Sequence, residues 1–467
     1  MNLAETYLRL VASLGILVRA SVFARRLFFP AHPRVPFVSI SRPNAIRYLQ
    51  EFSIPLIAGV IAALVAANMA PEWYQYWFGD GHGAEDGVWE LPGHFKIFGH
   101  HLTSLFLVND IFMVFFFGIA AKEITEAALP GGSLSPFRKA VSPLIATIGG
   151  VAGPVAAFFG LLYLAGASGA YEIGGEQWPA LLRGWGIPTA TDIALAWLVS
   201  RAVFGAGHPA INFLLLLAVA DDAIGLAIIA IFYGDPANPA DPRWLGLVAA
   251  GMAVAFAMRR MDVKSWVPYI FIAGPLSWSG LLLAHLHPAL ALVPIVPFLP
   301  GPRRDTGLFR EKDEVDVMGD ATAQDLEIDH SPLHNFEHHL KLPVDFGLFF
   351  FAMANAGVQF SGIGAMSWII LGALVIGKTV GITLFGLLAR AIGFPLPSGM
   401  TVKDLIMAGF IAALGLTVAL FVAGAAFPAS LGDLQGQAKM GALFSGGVGL
   451  AAILLGKMLG FGRSKPA

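Results

Sequence analysis

The run from Ile211 to Tyr233 is 23 residues long and carries only two charges, the adjacent aspartates Asp221 and Asp222. As an α-helix rising about 1.5 Å per residue, it is long enough to cross a lipid bilayer. One charge at the centre of such a helix costs roughly 2.5–3.5 kcal/mol even on the mildest scale, so the pair needs a wet cavity, a partner or a bound proton. The sequence therefore predicts a membrane helix with ion chemistry at its middle.

The chain as a whole has the composition of an all-α, polytopic membrane protein. Hydrophobic residues make up 56% of it and charged residues 13%, against about 25% charged residues in soluble domains. Its apolar stretches are long enough for helices that cross a bilayer. This favours a bundle of helices over a barrel, whose strands alternate apolar and polar residues. The twelve predicted spans are 53–71, 102–121, 140–166, 186–203, 209–233, 244–258, 265–284, 287–300, 344–360, 367–389, 403–426 and 438–460.

Charge and cysteine content exclude several classes of function. The net charge is only −2 and no basic block is present, so a nucleic-acid partner is not expected. The chain has no cysteine, which excludes disulfides and thiolate ligands. The spans contain no nucleophile–base constellation, so the chain is not expected to be an enzyme, and no cofactor is expected.

The basic residues predict an orientation. With twelve spans and a cytoplasmic N-terminus, 24 of the 29 Lys and Arg residues fall on the cytoplasmic side, four fall outside and Lys378 falls within a span. Such a bias is typical of inner-membrane topology. The same topology makes 1–50 a cytoplasmic extension, 51–465 the transmembrane domain and 301–343 a long cytoplasmic loop.

The fourth predicted span contains a candidate helix break. Pro188 lacks a backbone donor, Thr191 carries a hydroxyl that can cap a freed carbonyl, and Asp192 follows at once. A simple proline kink is one interpretation. A discontinuous helix lining an ion site is the other, and it is favoured because a kink needs no carboxylate.

A second candidate break lies in the eleventh span, where Gly409 and Gly415 precede Thr417. Spans three to five and ten to twelve occupy mirrored positions in the count. The two breaks would then be related by an inverted repeat, with discontinuous helices in spans 4 and 11.

The deep ionisable residues form the predicted site. Asp221 and Asp222 point about 100° apart on a helix, so they can contact different partners in one cavity. Hard cations such as Na⁺ and Li⁺ prefer oxygen ligands like theirs. Lys378, the only deep cation, has two open interpretations: a structural salt bridge to Asp221, or a group that itself releases a proton during turnover.

Other charged residues lie nearer the span ends. Asp110 is near one end of the second span, and Lys122 and Glu123 flank its other end. The histidines of the long loop favour an amphipathic helix leading into span nine over a metal site; they are His330, His334, His338 and His339.

Four segments resemble the NhaA family of bacterial sodium/proton antiporters. They read WGIPTATDIA at 185–194, AVADDAIG at 218–225, FAMANAGV at 351–358 and IGK at 376–378. The Thr-Asp segment and the Asp-Asp pair at this spacing are highly specific. The resemblance extends from about His101 to Gly460.

The resemblance implies a twelve-helix inverted-repeat bundle in the bacterial inner membrane, with helices 4 and 11 unwound and crossing. It implies that Asp221 and Asp222 bind Na⁺ or protons alternately, that Thr191 and Asp192 shape the crossing, and that Lys378 offsets facing helix ends. Exchange would be electrogenic and would serve pH and sodium homeostasis. By analogy with the family, segment 72–101 is a possible homodimer contact.

One departure concerns the pH response. The family's acid-rich stretch at the cytoplasmic mouth corresponds here to Gly118–Ile124, where Ala120 and Ile124 replace acids and Glu123 replaces a base. Asp110, Lys122 and Glu123 are therefore only candidates for a pH response or an ion-access funnel. Two alternative functions stay open: a Na⁺-coupled symporter of an organic anion, and a non-transporting membrane scaffold or sensor.

Overall fold

The computed structural model describes residues 53–79, 89, 96–129, 134, 137–234, 239–301, 331–427 and 431–461. The predicted N-terminal extension 1–50 and the acidic stretch 311–329 lie outside these residues. The described chain is mostly helical. Its main helices are α1 Ile54–Met69, α2 Pro71–Phe78, α3 Ser104–Ala128, α4 Phe137–Ala167, α5 Trp178–Thr189, α6 Ile193–Phe204, α7 Pro209–Phe232, α8 Leu245–Arg260, α9 Tyr269–Leu283, α10 Pro332–Asn355, α11 Ala365–Ala391, α12 Val402–Ile411, α13 Leu416–Ala426 and α14 Gly432–Leu459.

A small hairpin precedes α3. Strand β1, Lys96–Ile97, pairs antiparallel with β2, His100–His101, so that Lys96 lies opposite His101. Gly99 sits in the connecting turn with φ +91°, a conformation that glycine adopts without strain. The hairpin and α2 belong to the segment 72–101 that the sequence predicts to lie outside the bilayer.

Five of the described helices are long and apolar enough to cross a bilayer. They are α3, α4, α7, α11 and α14. Two further helix pairs pass the same test only together, and each is bent by 50°: α5 with α6, and α12 with α13. Both interruptions fall in the segments where the sequence predicts a break.

The prediction of a regular helix across 287–300 is wrong. This segment forms only two short 3₁₀ turns, Pro288–Leu290 and Val296–Phe298. Prolines at positions 288, 294, 297 and 300 remove backbone donors and fix φ, so an uninterrupted α-helical ladder cannot form. The segment is nevertheless buried, with Ala291 and Ile295 fully inaccessible.

Helix α10 begins earlier than the predicted ninth span. The Ser331 side chain caps it by accepting the His334 N–H at 3.2 Å, and the helix continues unbroken to Asn355. The predicted lead-in helix through His334, His338 and His339 is therefore confirmed. His330 lies outside the described residues.

Helices α4 and α11 approach each other through facing glycines. A Cβ added to Gly153 would lie 2.2 Å from the carbonyl oxygen of Gly377, and one added to Gly381 would lie 2.0 Å from that of Gly149. Since no side chain fits there, the backbones themselves are in contact, as is common where membrane helices pack. This contact sets the position of Lys378, on α11, relative to the axis of α4.

Candidate functional site

The two helix breaks lie against each other. The backbone N–H of Asp192, between α5 and α6, donates to the carbonyl oxygen of Leu414, between α12 and α13, at 2.6 Å. The Thr191 hydroxyl lies 3.0 Å from the carbonyl oxygen of Ala412. Each break thus satisfies backbone groups that the other would leave unpaired in a buried setting.

Asp192 caps two helix N-termini with one carboxylate. Its Oδ1 accepts the Leu195 N–H of α6 at 3.1 Å. Its Oδ2 accepts the hydroxyl of Thr417 at 3.0 Å and the Thr417 N–H of α13 at 3.4 Å. A negative charge is stabilised at a helix N-terminus, and here two such termini converge on it.

Lys378 contacts the carboxyl-terminal end of α5. Its Nζ donates to the carbonyl oxygen of Thr189, the last residue of α5, at 2.7 Å, and to the Thr191 hydroxyl at 2.8 Å. It also pairs with Asp221 Oδ2 at 2.5 Å. Lys378 and Asp221 are both fully inaccessible to solvent, so their charges compensate each other directly.

The Thr191 hydroxyl joins these two groups. It accepts from Lys378 and lies 2.9 Å from Asp221 Oδ2 as well as 3.0 Å from the Ala412 carbonyl oxygen. Because a hydroxyl has a single proton, it can donate to only one of these acceptors at a time. Thr191 can therefore respond to a change in the charge of Asp221.

Lys378 is placed by a local irregularity of α11. The segment Ala373–Lys378 is a π-helical turn within the longer helix, and it ends at Lys378. Such a turn shifts the following side chains around the helix axis, and π turns often occur at functional sites. Asp110 lies in a second π-helical turn, Leu107–Phe112.

Asp222 faces a different surface from Asp221. It is 8% exposed. It lines a small pocket together with Phe116, Phe117, Ala120, Leu226 and Val418. The charges that act on it come from Asp221, Glu123, Asp192 and Lys378. Asp222 is therefore the less deeply buried member of the pair, and Glu123 contributes to its electrostatic environment.

Each aspartate of the pair has an unsatisfied oxygen. Asp221 Oδ1 and Asp222 Oδ1 are buried and accept no hydrogen bond from the described residues. Buried carboxylate oxygens are rarely left unpaired. A proton or a hard cation would satisfy them, and both ligands compete for the same oxygens. Among the described residues, no cluster of three or more His, Asp or Glu side chains forms a conventional metal site.

Asp110 is not brought into this arrangement. Its Oδ1 lies 3.7 Å from Nδ1 of His287, and its carbonyl oxygen accepts the indole N–H of Trp278 at 2.7 Å. The same Nδ1 accepts the Ala289 N–H at 3.4 Å, and its contact with Asp110 is longer than a hydrogen bond. The His287 ring packs on Phe421 of α13.

Lys122 belongs to a separate buried cluster. Its Nζ is paired with Glu126, one turn further along α3, and with Glu337 of α10. Glu337 also approaches Lys341 at 3.4 Å. The cluster ties α3 to α10, and Glu123 is under its electrostatic influence.

Sequence reasoning missed several members of these groups. In the sequence Thr417 indicates only a helix break, although its hydroxyl contacts Asp192. Glu337 lies more than 200 residues from Lys122, and no local pattern links the two. The buried position of His287 has only a weak signal, since His285 stands two residues away in the same apolar stretch.

The chain is similar to known proteins along most of its length. The family model described as Na⁺/H⁺ antiporter 1 matches residues 45–459. A Na⁺/H⁺ antiporter NhaA of Geobacter sulfurreducens is 54% identical over 418 residues, covering 90% of this chain and 98% of the relative. That of Desulfitobacterium hafniense is 54% identical over 426 residues, with 91% and 98% covered. A Jannaschia relative is 43% identical over 440 residues, with 88% and 97% covered.

These matches extend through both helix breaks, the aspartate pair and Lys378. With several helices able to cross a bilayer, the chain is an integral membrane protein. It belongs to the Na⁺/H⁺ antiporter 1 family, whose curated members similar to it are NhaA antiporters.

Proposed function

We propose that this protein is a secondary Na⁺/H⁺ antiporter that also accepts Li⁺ and extrudes the metal ion in exchange for external protons. The observation that carries the proposal is the aspartate pair beside two interrupted helices, with one unsatisfied buried oxygen on each carboxylate. Those oxygens can hold protons or a hard cation, but not both together. Exchange then follows if the loaded site opens to either side of the membrane in turn.

Each residue of the site has a distinct role in this proposal. Asp222 is the less deeply buried carboxylate and meets the ion first, and Asp221 is its partner. Thr191 adds a hydroxyl oxygen, and Asp192 stabilises two converging helix N-termini. Lys378 compensates Asp221 while the metal ion is absent, and either an intact salt bridge or proton release from the ammonium is compatible with its contacts.

Access to the site is proposed to involve the α3 side. Glu123 acts electrostatically on Asp222, and Lys122 anchors the same helix to α10. These two residues form the candidate ion-access funnel and pH-responsive region. Asp110, beside His287, is a candidate for the same response from another part of α3.

The proposed topology treats each bent pair as one interrupted span. The pairs α5–α6 and α12–α13 are then the fourth and eleventh of twelve spans, related by an inverted repeat. The distribution of Lys and Arg supports cytoplasmic termini in a bacterial inner membrane. The exposed hairpin β1–β2 is the proposed contact of a homodimer. Exchange of more protons than Na⁺ ions would make transport electrogenic.

The alternative of a Na⁺-coupled organic-anion symporter is not supported. The family and the relatives similar to this chain are described as antiporters. The pocket at Asp222 is small and mostly apolar, with aromatic and aliphatic side chains around the single carboxylate. Nothing in that lining would recognise an organic anion.

The direct test uses everted membrane vesicles containing the protein and a fluorescent pH dye. After respiration builds an acid interior, Na⁺ or Li⁺ added outside is expected to dissipate the pH gradient, whereas K⁺ is not. The titration is repeated at several pH values, and vesicles without the protein are the control. A gradient unaffected by Na⁺ and Li⁺ at every pH would contradict the proposed exchange.

A further inference from the structure

Ser445 of α14 contacts the interruption between α12 and α13 from outside the aspartate site. It is fully buried. Its Oγ accepts the backbone N–H of Gly415 at 3.2 Å and donates to the carbonyl oxygen of Ala442, one turn back on α14, at 2.6 Å. The hydroxyl is therefore oriented by its own helix and presents a lone pair to Gly415.

The Gly415 N–H has no hydrogen-bond acceptor within its own helix, so it depends on the Ser445 hydroxyl. Gly415 is the residue that precedes the first turn of α13, and the first N–H groups of a helix have no partner within it. The Asp192 carboxylate accepts the Thr417 N–H in the same turn, and the Ser445 hydroxyl accepts the Gly415 N–H. Without the serine hydroxyl, a buried backbone donor would be left unsatisfied in an apolar setting.

The contact is tightly packed around the break. A Cβ added to Gly415 would lie 3.0 Å from the carbonyl oxygen of Ala190 in the other interruption. One added to Gly449, one turn beyond Ser445, would lie 3.6 Å from the Leu414 side chain. Helix α14 therefore contacts Gly415 through the Ser445 hydroxyl and lies beside the Leu414 side chain at Gly449.

Leu414 connects this contact to the site. Its carbonyl oxygen accepts the Asp192 N–H at 2.6 Å, and it directly precedes the glycine that Ser445 holds. A displacement of Gly415 would move the Leu414 carbonyl and would also move Thr417, which binds the Asp192 carboxylate. Both links position a charge that acts on Asp222.

We infer that Ser445 is a positioning residue for ion exchange: through Gly415 and Leu414 it fixes Asp192 and the crossing of the two interrupted helices. The inference rests on the proposed antiport function. It assigns a functional role to α14, a helix that contributes no ionisable group to the site.

Ser367 provides a matched structural control. It is also fully buried, and its Oγ donates to the backbone carbonyl oxygen of Gln437 on the same helix α14 at 2.8 Å. That bond joins α11 to α14 away from the interruptions. Ser367→Ala and Ser445→Ala each remove one buried hydroxyl that bonds to the backbone, so the two should lower thermal stability to a similar degree.

The test compares Na⁺/H⁺ exchange by wild-type protein, Ser445→Ala and Ser367→Ala in vesicles, together with the melting temperature of each purified protein. Ser445→Ala is expected to raise the apparent KM for Na⁺ about fivefold to tenfold, a factor typical of an unsatisfied buried donor, and to shift the pH profile of exchange. Ser367→Ala is expected to leave both unchanged. Ser445→Thr, which keeps the hydroxyl, is expected to recover the wild-type pH profile.

Two negative results have different meanings. Equal KM values and pH profiles for Ser445→Ala and Ser367→Ala, at equal loss of melting temperature, would overturn the positioning role and leave antiport intact. Absence of Na⁺-dependent exchange in the wild-type vesicles would instead overturn the function on which the inference rests.

Discussion

Asp222→Asn is expected to abolish Na⁺-dependent dissipation of a pH gradient in everted vesicles. The amide cannot release a proton at any physiological pH, and it is a neutral and therefore weaker ligand for Na⁺. The variant should still fold, because Asp222 Oδ1 accepts no hydrogen bond from the described residues and the side chain borders a pocket. The measurement is dye fluorescence after Na⁺ addition, with the melting temperature of the purified variant.

Asp262→Asn is the matched control for that experiment. Asp262 is an aspartate whose side chain is 82% exposed, just after α8. The same change of charge there should leave exchange at the wild-type rate. Near-normal exchange by Asp222→Asn would refute the assignment of Asp222 to the ion site.

Lys378→Met is expected to cause the largest loss of stability among these variants. Within the described residues it leaves the Asp221 carboxylate buried with only the Thr191 hydroxyl as a partner, and breaking a buried ion pair from one side costs about 3–5 kcal/mol. It also removes the donor to the Thr189 carbonyl oxygen at the end of α5. A large drop in melting temperature in detergent, together with loss of exchange, is the expected result.

The double variant Asp221→Asn/Lys378→Met separates charge from packing. It removes both charges, so much of the lost stability should return while exchange stays absent or altered. Lys264→Met serves as a control, since Lys264 is 83% exposed and lies 3.9 Å from Asp262; it should not change the melting temperature. A Lys378→Met variant as stable as Lys264→Met would show that the buried pair contributes nothing to the fold.

The sequence predicts the five longest apolar helices well because length and apolarity are enough to reveal them. The predicted span 209–233 corresponds to α7, Pro209–Phe232, and 140–166 corresponds to α4, Phe137–Ala167. The failure at 287–300 has a physical reason: hydrophobicity indicates burial there, but four prolines prevent a helix. Burial and helical conformation are separate properties, and an apolar pattern reports only the first.

The candidate site is partly predictable for a similar reason. Deep charges are costly in a membrane, so Asp192, Asp221, Asp222 and Lys378 stand out from a sequence that is otherwise apolar. Their partners do not stand out. Thr417 and Ser445 are ordinary small polar residues in glycine-rich helices, and their contacts join positions 225 and 30 residues apart.

The π-helical turn at Lys378 likewise has no signal in the sequence. It lies where α11 packs against α4 through Gly377, and local propensity does not encode such packing. The sequence can therefore name the charged residues of the site, whereas their geometry requires the folded chain.

Calorimetry of Na⁺ binding to the purified protein in buffers of different ionisation enthalpy tests most directly whether protons and Na⁺ share one site. If the aspartate pair binds either ligand but not both, the observed enthalpy should vary linearly with the buffer's ionisation enthalpy, and its slope should show proton release on Na⁺ binding. Sodium binding with the same enthalpy in every buffer, and hence without proton release, would contradict a shared site.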